Sequence, residues 1–428
     1  MLISPQKAFR KDASPSDREK LDIRVFLALA GLYVAQAIPI YFIAAALPAI
    51  LRSKGVDLVA IGSFAILMLP WVLKFLWAPF VDRWGNTRFG PRKSWIVPMQ
   101  LVSIGLILFL SQLEPAENLS LLFPLLMLMA ICSATQDIAT DGYAVEHLPP
   151  SQIPLGNAIQ GGSVAAGVIV GGSLTLFVHD FAGWQTALVL CALLAFTALL
   201  PALFLSEDTG KRHEEEPLAN QQEKASLKNF FKAGWAVPVL LFAFVFRLPE
   251  GLVKGVEQAF LVDQGLSLTK IGLISGTSAA CVGLGGAAIA VFLIKRFGLL
   301  RFFWMIGGLR IACFALYFLF AQSEQPPELS LILLSGFHTF IRYMEIVALY
   351  SAFMRFSSLQ QAGTDFTILS CANLSIYMLG GFLAGVIAEH WGYSILFALA
   401  VILAVPGILL AMRLLSQSQQ HASELSTR

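Results

Sequence analysis

Charge is scarce in this chain. Only 13% of its 428 residues are Asp, Glu, Lys or Arg, against about 25% in an ordinary soluble domain. That excludes a water-soluble globule of this length, because too few ionised groups remain to cover its surface. The net charge of +2 gives no electrostatic reason to expect a nucleic-acid partner. Cysteine is sparse too. Cys132, Cys191, Cys281, Cys313 and Cys371 stand inside apolar runs at no metal-type spacing, and read as small hydrophobes. The six histidines are scattered, so neither a metal site nor a cofactor is expected. No nucleophile–base pair or metal motif marks an intramembrane enzyme. The GLGG run at 283–286 follows no strand and there is no phosphate-loop lysine motif, so ATP does not drive this protein. Its N-terminal stretch MLISPQKAFRKDASPSDREK has no apolar core and no small-residue cleavage site, so no removable signal peptide is expected. Alternating strands of the membrane-barrel kind are absent as well.

What remains is apolar sequence. Hydrophobic residues make up 57% of the chain, the mean hydropathy is +0.73, and the apolar runs reach about 20 residues, enough to cross ~30 Å of hydrocarbon. An all-α membrane protein follows. Twelve spans are expected at roughly 24–51, 58–81, 94–112, 120–144, 156–178, 184–205, 235–262, 270–294, 302–320, 330–354, 364–388 and 393–413. With the N-terminus in the cytoplasm, 21 of the 29 Lys and Arg are cytoplasmic and three (Arg52, Lys54, Lys270) lie opposite. The other five, Lys74, Arg247, Lys254, Arg310 and Arg342, fall within spans. This bias satisfies the positive-inside rule, with both termini cytoplasmic. The expected organisation is a cytoplasmic tail (1–23), a six-helix bundle (24–205), a charged cytoplasmic linker (206–233), a second six-helix bundle (234–413) and a cytoplasmic tail (414–428).

The halves are copies. A shift of 210 lays AIPIYFIAAALPAILRSKGVDLVAIG (37–62) on RLPEGLVKGVEQAFLVDQGLSLTKIG (247–272), pairing Pro39 with Pro249, Gly55 with Gly265 and Gly62 with Gly272. A shift of 209 pairs Gly171-Gly172 with Gly380-Gly381 and Gly183 with Gly392. Two parallel six-helix halves rocking about a midplane site is the logic of one large class of secondary transporters. Glycine-rich stretches at 161–172 and 283–288 read as sites of close helix approach.

Charges inside the spans are clustered. Arg247, Glu250, Lys254 and Glu257 follow one another at spacings of three, four and three, which stack on one helical face. Their sister positions are Ala37, Ile40, Ala44 and Leu47, so the fold does without charge there. His338, Arg342 and Glu345 share a face of the tenth span, and Asp137 and Asp141 a face of the fourth. Lys74 lies at the depth of Asp137, and Tyr33, Gln36 and Tyr41 lie on the first span. Each charge at the bilayer centre costs ~2.5–3.5 kcal/mol on insertion scales, so these groups face one another or water. Mutual neutralisation remains an alternative to ligand binding for each cluster. His338 reads equally as a hydrogen-bonded packing residue, Asp141 as a partner of Arg83 or Arg92, and Arg310 as structural.

Between the second and third spans stands APFVDRWGNTRFGPRKSW (78–95), with a fainter copy IKRFGLLR (294–301). The stretch resembles the helix 2–3 signature of the major facilitator superfamily, Asp-Arg-x-Gly followed by further basic residues, with Ala78 where a leading glycine is usual. KFLWAPFVDR and SATQDIATDGYAVE (133–146) are similar to the AmpG-like branch, which holds muropeptide permeases, acetyl-CoA transporters and the RhtX/FptX siderophore importers. The compact length and the QDIATDG form favour the siderophore group. The resemblance implies a twelve-helix major facilitator fold of two pseudo-symmetric six-helix halves, with helices 1, 4, 7 and 10 lining a central cavity. It implies that Asp82, Arg83, Arg92 and Lys93 form a cytoplasmic gate latch. It further implies a monomer in the bacterial inner membrane that imports a ferric siderophore or, alternatively, a muropeptide or another anionic metabolite. Expected substrate-binding residues are Arg247, Glu250, Lys254, Arg342, Glu345, His338, Gln36 and Tyr41. Expected proton-coupling residues for symport are Glu250, Asp137 and Asp141. The partners are thus the small-molecule substrate, protons and the lipid bilayer.

Overall fold

A computed structural model describes residues 23–56, 64–86, 88–203, 207, 225–266 and 278–426. The expected N-terminal tail, apart from Ile23, and most of the linker lie outside these residues. The described chain is helical almost throughout. α1 runs Ile23–Tyr41, passes a π turn at Phe42–Ala46 and continues as Leu47–Ser53. α3 is Lys93–Leu110, α4 Leu119–His147, α7 Ala236–Asp263, α9 Leu299–Ala321 and α10 Glu328–Phe356. α8 opens with a π turn at Ser278–Gly283 and continues as Leu284–Phe297. A short helix at Leu227–Lys232 ends the linker.

α2 departs from the single span expected at 58–81. It is a chain of short pieces: a 3-10 turn at Phe64–Met68, an α segment at Leu69–Leu73, a 3-10 turn at Lys74–Leu76 and an α segment at Ala78–Arg83. Pro79 is the physical reason. It has no N–H for the carbonyl of Phe75, and its ring would clash with that carbonyl in a continuous helix. Lys74 sits at this break.

α5 begins at Ile153–Gly167 and passes a π turn at Val168–Leu174. It runs directly into α6 (184–203), with the bend at Gly183, φ 83° and ψ 174°. α11 (362–391) and α12 (393–426) are joined the same way at Gly392, φ 81° and ψ 166°. Only glycine takes this conformation without a Cβ clash. The repeat therefore returns as matched backbone geometry. It returns again after α1 and α7: Gly55 and Gly265 have φ 83° and 88°, and the next amides, Val56 and Leu266, donate to Leu51 and Leu261 carbonyls at 3.1 Å each.

Within each half, glycines allow close helix contacts. A Cβ on Gly171 of α5 would lie 2.3 Å from the Ile38 carbonyl oxygen of α1. In the second half, one on Gly251 of α7 would lie 2.5 Å from the Tyr377 carbonyl oxygen of α11, and one on Gly255 would lie 2.5 Å from Gly381 Cα. Between the halves, α11 packs against α2 and α4, and α5 against α8 and α10. The outer surface carries large apolar side chains such as Phe292, Leu333, Phe382 and Ile402, each more than 60% exposed. A helix bundle with such a skin is solvated by lipid, in which helices satisfy their own backbone groups.

Candidate functional site

Three polar clusters interrupt the apolar interior. The first belongs to the N-terminal half. The break in α2 delivers the Lys74 ammonium to Asp137 on α4, with Asp141 Oδ2 at 3.7 Å. Asp137 Oδ1 accepts from Gln36 Nε2 at 2.5 Å. Asp141 Oδ1 accepts from the Tyr33 hydroxyl at 3.0 Å and from Gln160 Nε2 at 3.1 Å. One cation thus stands between two carboxylates, which the four-residue spacing of α4 puts on one face. The alternative that Asp141 pairs with Arg83 or Arg92 is corrected: its partners are Tyr33, Gln160 and Lys74.

The second cluster fills the C-terminal half between α7, α9 and α10. Glu257 Oε1 accepts from the Tyr317 hydroxyl at 2.6 Å and from Ser335 Oγ at 2.8 Å, while Oε2 takes the Lys254 ammonium. His338 lies between two carboxylates, Nε2 3.1 Å from Glu250 Oε2 and Nδ1 3.4 Å from Glu257 Oε1. Glu345 Oε1 accepts from Arg310 Nη1 at 3.0 Å, and its Oε2 lies 3.9 Å from Arg247 Nη1. Arg310 also covers the Phe246 ring at 4.1 Å, and Arg247 the Tyr377 ring at 4.8 Å. Lys254 and Arg310 are engaged by carboxylates. Arg247 and Arg342 are less so. Arg247 Nε and Nη1 and Arg342 Nε are buried with no hydrogen-bond partner among the described residues, as are Arg310 Nε and Nη2, Glu250 Oε1 and Glu345 Oε2. Such buried donors and acceptors are costly to leave unmade, which makes these groups candidates to receive a polar ligand.

The two clusters act on shared tyrosines. Tyr350 on α10 lies in the field of Lys74, Asp137 and Asp141 from one half and of Arg247 from the other. Tyr41 on α1 lies in the field of Arg342, and Tyr33 in that of Tyr350. Sequence reasoning missed Tyr350, Tyr377, Gln160, Tyr317 and Ser335 as members of these clusters. A tyrosine on an apolar helix carries no spacing signal of its own, and only the packing of helices distant in the chain brings these groups to the charges.

The third cluster lies at the bundle face formed by the ends of α2, α4 and α10 and the starts of α3, α5 and α11, here termed the loop face. Arg92 Nη1 donates to Asp82 Oδ1 at 2.5 Å, and Nη2 to Glu146 Oε1 at 2.7 Å. Asp82 Oδ2 accepts the amide N–H of Thr364, in the first turn of α11, at 2.6 Å. Gly142 and Gly363 make the room: a Cβ on either would come within 3 Å of the Arg92 guanidinium or of Asp82 Oδ1. Of the four expected latch residues, Asp82 and Arg92 share this cluster. Arg83 and Lys93 hold the linker ends instead. Arg83 Nε donates to the Ala225 carbonyl, and Lys93 Nζ to the Leu203 carbonyl at 2.8 Å. Glu207 accepts the backbone amides of Arg92 and Lys93 at 3.0 and 2.7 Å, capping α3. Ser226 N donates to Gln361 Oε1 at 3.0 Å, tying the end of the linker to the C-terminal half. Away from the charges, two further bonds join the halves: Asn157 Nδ2 to Ser351 Oγ at 3.2 Å, and Cys371 Sγ to the Trp71 carbonyl at 3.4 Å.

The Major Facilitator Superfamily profile matches residues 27–364. The anhydromuropeptide permease of Escherichia coli (strain K12) is 27% identical over 380 residues, 88% of this chain and 77% of that protein. An uncharacterized protein of Haemophilus influenzae is 27% identical over 399 residues, 87% of this chain and 90% of that one. In fold, the chain is similar to a bacterial homologue of the iron transporter ferroportin in its outward-facing state, with a TM-score of 0.66. At 14% identity over 92% of this chain and 100% of that one, this likeness shows the fold alone.

Proposed function

Because the chain belongs to the major facilitator superfamily, as a multi-pass secondary transporter and not an enzyme, we propose that it imports an anionic metabolite of the anhydromuropeptide class together with protons. The observation that carries the reading is the pair Arg247 and Arg342. Their guanidinium groups keep buried N–H donors without a partner among the described residues, and their charges act on Tyr41 and Tyr350. A guanidinium is always charged and binds a carboxylate through paired hydrogen bonds. Tyrosine rings and the amide of Gln36 suit the sugar rings and peptide bonds of such a molecule. The 27% identity to a permease of that name supports the class. It reverses the order suggested by the QDIATDG form, and a ferric siderophore becomes the second substrate to test.

On this reading, Glu250, Glu345, His338, Gln36 and Tyr41 surround the substrate or answer its charge. Lys254 contributes field from its place on Glu257. Asp137 and Asp141, with one lysine between them, and Glu250, with one free oxygen, are the carboxylates that exchange protons. The loop face is cytoplasmic, as the 21-to-3 bias of Lys and Arg requires, and the membrane is the bacterial inner membrane. Asp82, Arg92 and the α11 amide close that face, while Arg83 and Lys93 fasten the linker to it. Their charge-assisted bonds break and reform as the halves rock. The test is paired uptake in cells lacking this protein and restored with it, using radiolabelled anhydromuropeptide and a radiolabelled ferric siderophore. Restored, uncoupler-sensitive uptake of the first alone supports the reading; uptake of the second alone overturns the substrate class.

A further inference from the structure

We infer that His338 is the store of the transported proton, held as an imidazolium between Glu250 and Glu257, an inference that rests on the proton-coupled reading above. A neutral imidazole offers one N–H and one lone pair. Here both ring nitrogens face carboxylate oxygens, Nε2 at 3.1 Å from Glu250 and Nδ1 at 3.4 Å from Glu257. With a neutral ring and two carboxylates, one lone pair would oppose another inside an apolar half. One additional proton removes that conflict, because both nitrogens then donate. The cluster is therefore built to bind a proton.

The two carboxylates differ in what else they touch, and the difference assigns their roles. Glu257 is saturated with donors: Tyr317 and Ser335 hydroxyls on Oε1 and the Lys254 ammonium on Oε2. It stays ionised and anchors the charge of the ring. Glu250 gives Oε2 to His338, while its Oε1 is buried without a partner among the described residues. It is the port. The other groups facing the ring are known from each packed element. α9 contributes the Phe314 and Tyr317 rings, edge-on at 5.9 and 5.5 Å. Of the charged groups, Glu345 of α10, bonded to Arg310 of α9, acts on the ring itself, while Arg247 and Lys254 of α7 and Arg342 of α10 act on Glu250 and Glu257, the two carboxylates that hold it.

In the transfer step the Nε2–H bond of His338 breaks and an O–H bond forms at Glu250 Oε2. Imidazolium and carboxylate become neutral together, so the step creates no new buried charge. The carboxyl then loses its proton to water once the halves have rocked. Arg247 and Arg342 both lie in the field of Glu250. A substrate anion on those arginines screens them from Glu250 and favours the transfer, which links cargo to proton.

The test reads the ring directly. The full-length protein, labelled with 15N-histidine and reconstituted in lipid, is titrated by solid-state NMR, and His338 is assigned as the signal missing in His338→Gln. An ordinary histidine titrates near ~6.5. The inference predicts an imidazolium that persists at least about one unit above that value, and a midpoint that falls in Glu257→Gln and in the milder Glu257→Asp. A neutral His338 ring at about pH 7.5 in the wild type, roughly one unit above the ordinary value, overturns it. In proteoliposomes with anhydromuropeptide as probe, His338→Gln keeps exchange without a gradient and loses uphill accumulation at least tenfold. Undiminished uphill accumulation also overturns it. If the wild type does not move this probe, the substrate reading falls while the NMR titration still decides the proton store.

Discussion

Asp82 and Thr364 are separated by 282 positions in the chain, yet the Asp82 carboxylate accepts the Thr364 amide at 2.6 Å. One oxygen of Asp82 holds Arg92 of its own half, and the other holds the start of α11 in the opposite half. The helix N-terminus presents unsatisfied N–H groups and a partial positive charge, so a carboxylate is the fitting partner. On the proposed reading, this bond breaks when the loop face opens.

Removing it should change the balance of conformations. Hydrogen bonds to charged groups contribute ~1.5–3 kcal/mol, which is about ten- to a hundredfold in an equilibrium constant. Asp82→Asn and Arg92→Gln should therefore open the loop face by that order. In a background without native cysteines, a reporter cysteine on the α11 side of the latch should react faster with a membrane-impermeant thiol reagent applied at the loop face. Equal labelling rates in wild type and variants would remove the latch from the account.

The glycines beside the latch give a steric version of the same test. In Gly142→Ala the new Cβ lies 2.6 Å from Arg92 Cζ, and in Gly363→Ala it lies 2.7 Å from Asp82 Oδ1. Both should lower transport severalfold and lower the melting temperature. Gly285→Ala meets open space, and alanine in a helix is favoured over glycine by about 0.5–1 kcal/mol, so this control should keep activity and not lose stability.

Among the described residues, Lys74 is the one cation paired with Asp137 and Asp141. Breaking a buried pair by deleting one partner costs ~3–5 kcal/mol because a charge is left uncompensated. Lys74→Met should greatly reduce the folded yield in detergent. Adding Asp137→Asn should restore part of it, since the remaining carboxylate, Asp141, keeps the Tyr33 and Gln160 donors. A double variant no more stable than Lys74→Met would contradict the pairing.

Two arginines near Glu345 should behave differently. Arg310 is fully buried, bonded to Glu345 and stacked on Phe246; Arg247 only approaches Glu345, at 3.9 Å. Arg310→Met should act on stability, measured as thermal denaturation in detergent, and Glu345→Met added to it should recover part of the loss. Arg247→Gln should leave the melting temperature close to that of the wild type and reduce substrate affinity by about an order of magnitude, the scale of one charge-assisted contact.

The sequence carried the architecture because its signals are local. Apolar runs of about 20 residues define spans, and the spacing of Gly55 and Gly183 from Gly265 and Gly392 reports a repeat that returns as shared positive φ. The depth of Lys74 and Asp137 was legible for the same reason, since a fixed rise per residue converts position into height. Azimuth and neighbours were not. Nothing in the order of residues says that Glu257 meets Tyr317 and Ser335, or that Asp141 turns to Tyr33 and Gln160 rather than to an arginine. Those contacts depend on how helices far apart in the chain rotate against one another. α2 was misjudged as one helix although Pro79 was in plain view, and that break is what aims Lys74 inward. The roles of Glu146, Glu207 and the Thr364 amide had no motif to announce them, because each acts through a partner more than fifty positions away.

The most direct measurement is accumulation of radiolabelled anhydromuropeptide by proteoliposomes holding the purified protein under an imposed pH gradient. Wild-type vesicles should concentrate the label above the outside level, lose that gain with a protonophore, and lose it in Arg247→Gln while the variant remains folded. Accumulation that ignores the gradient, or that is equal in wild type and Arg247→Gln, would contradict the account.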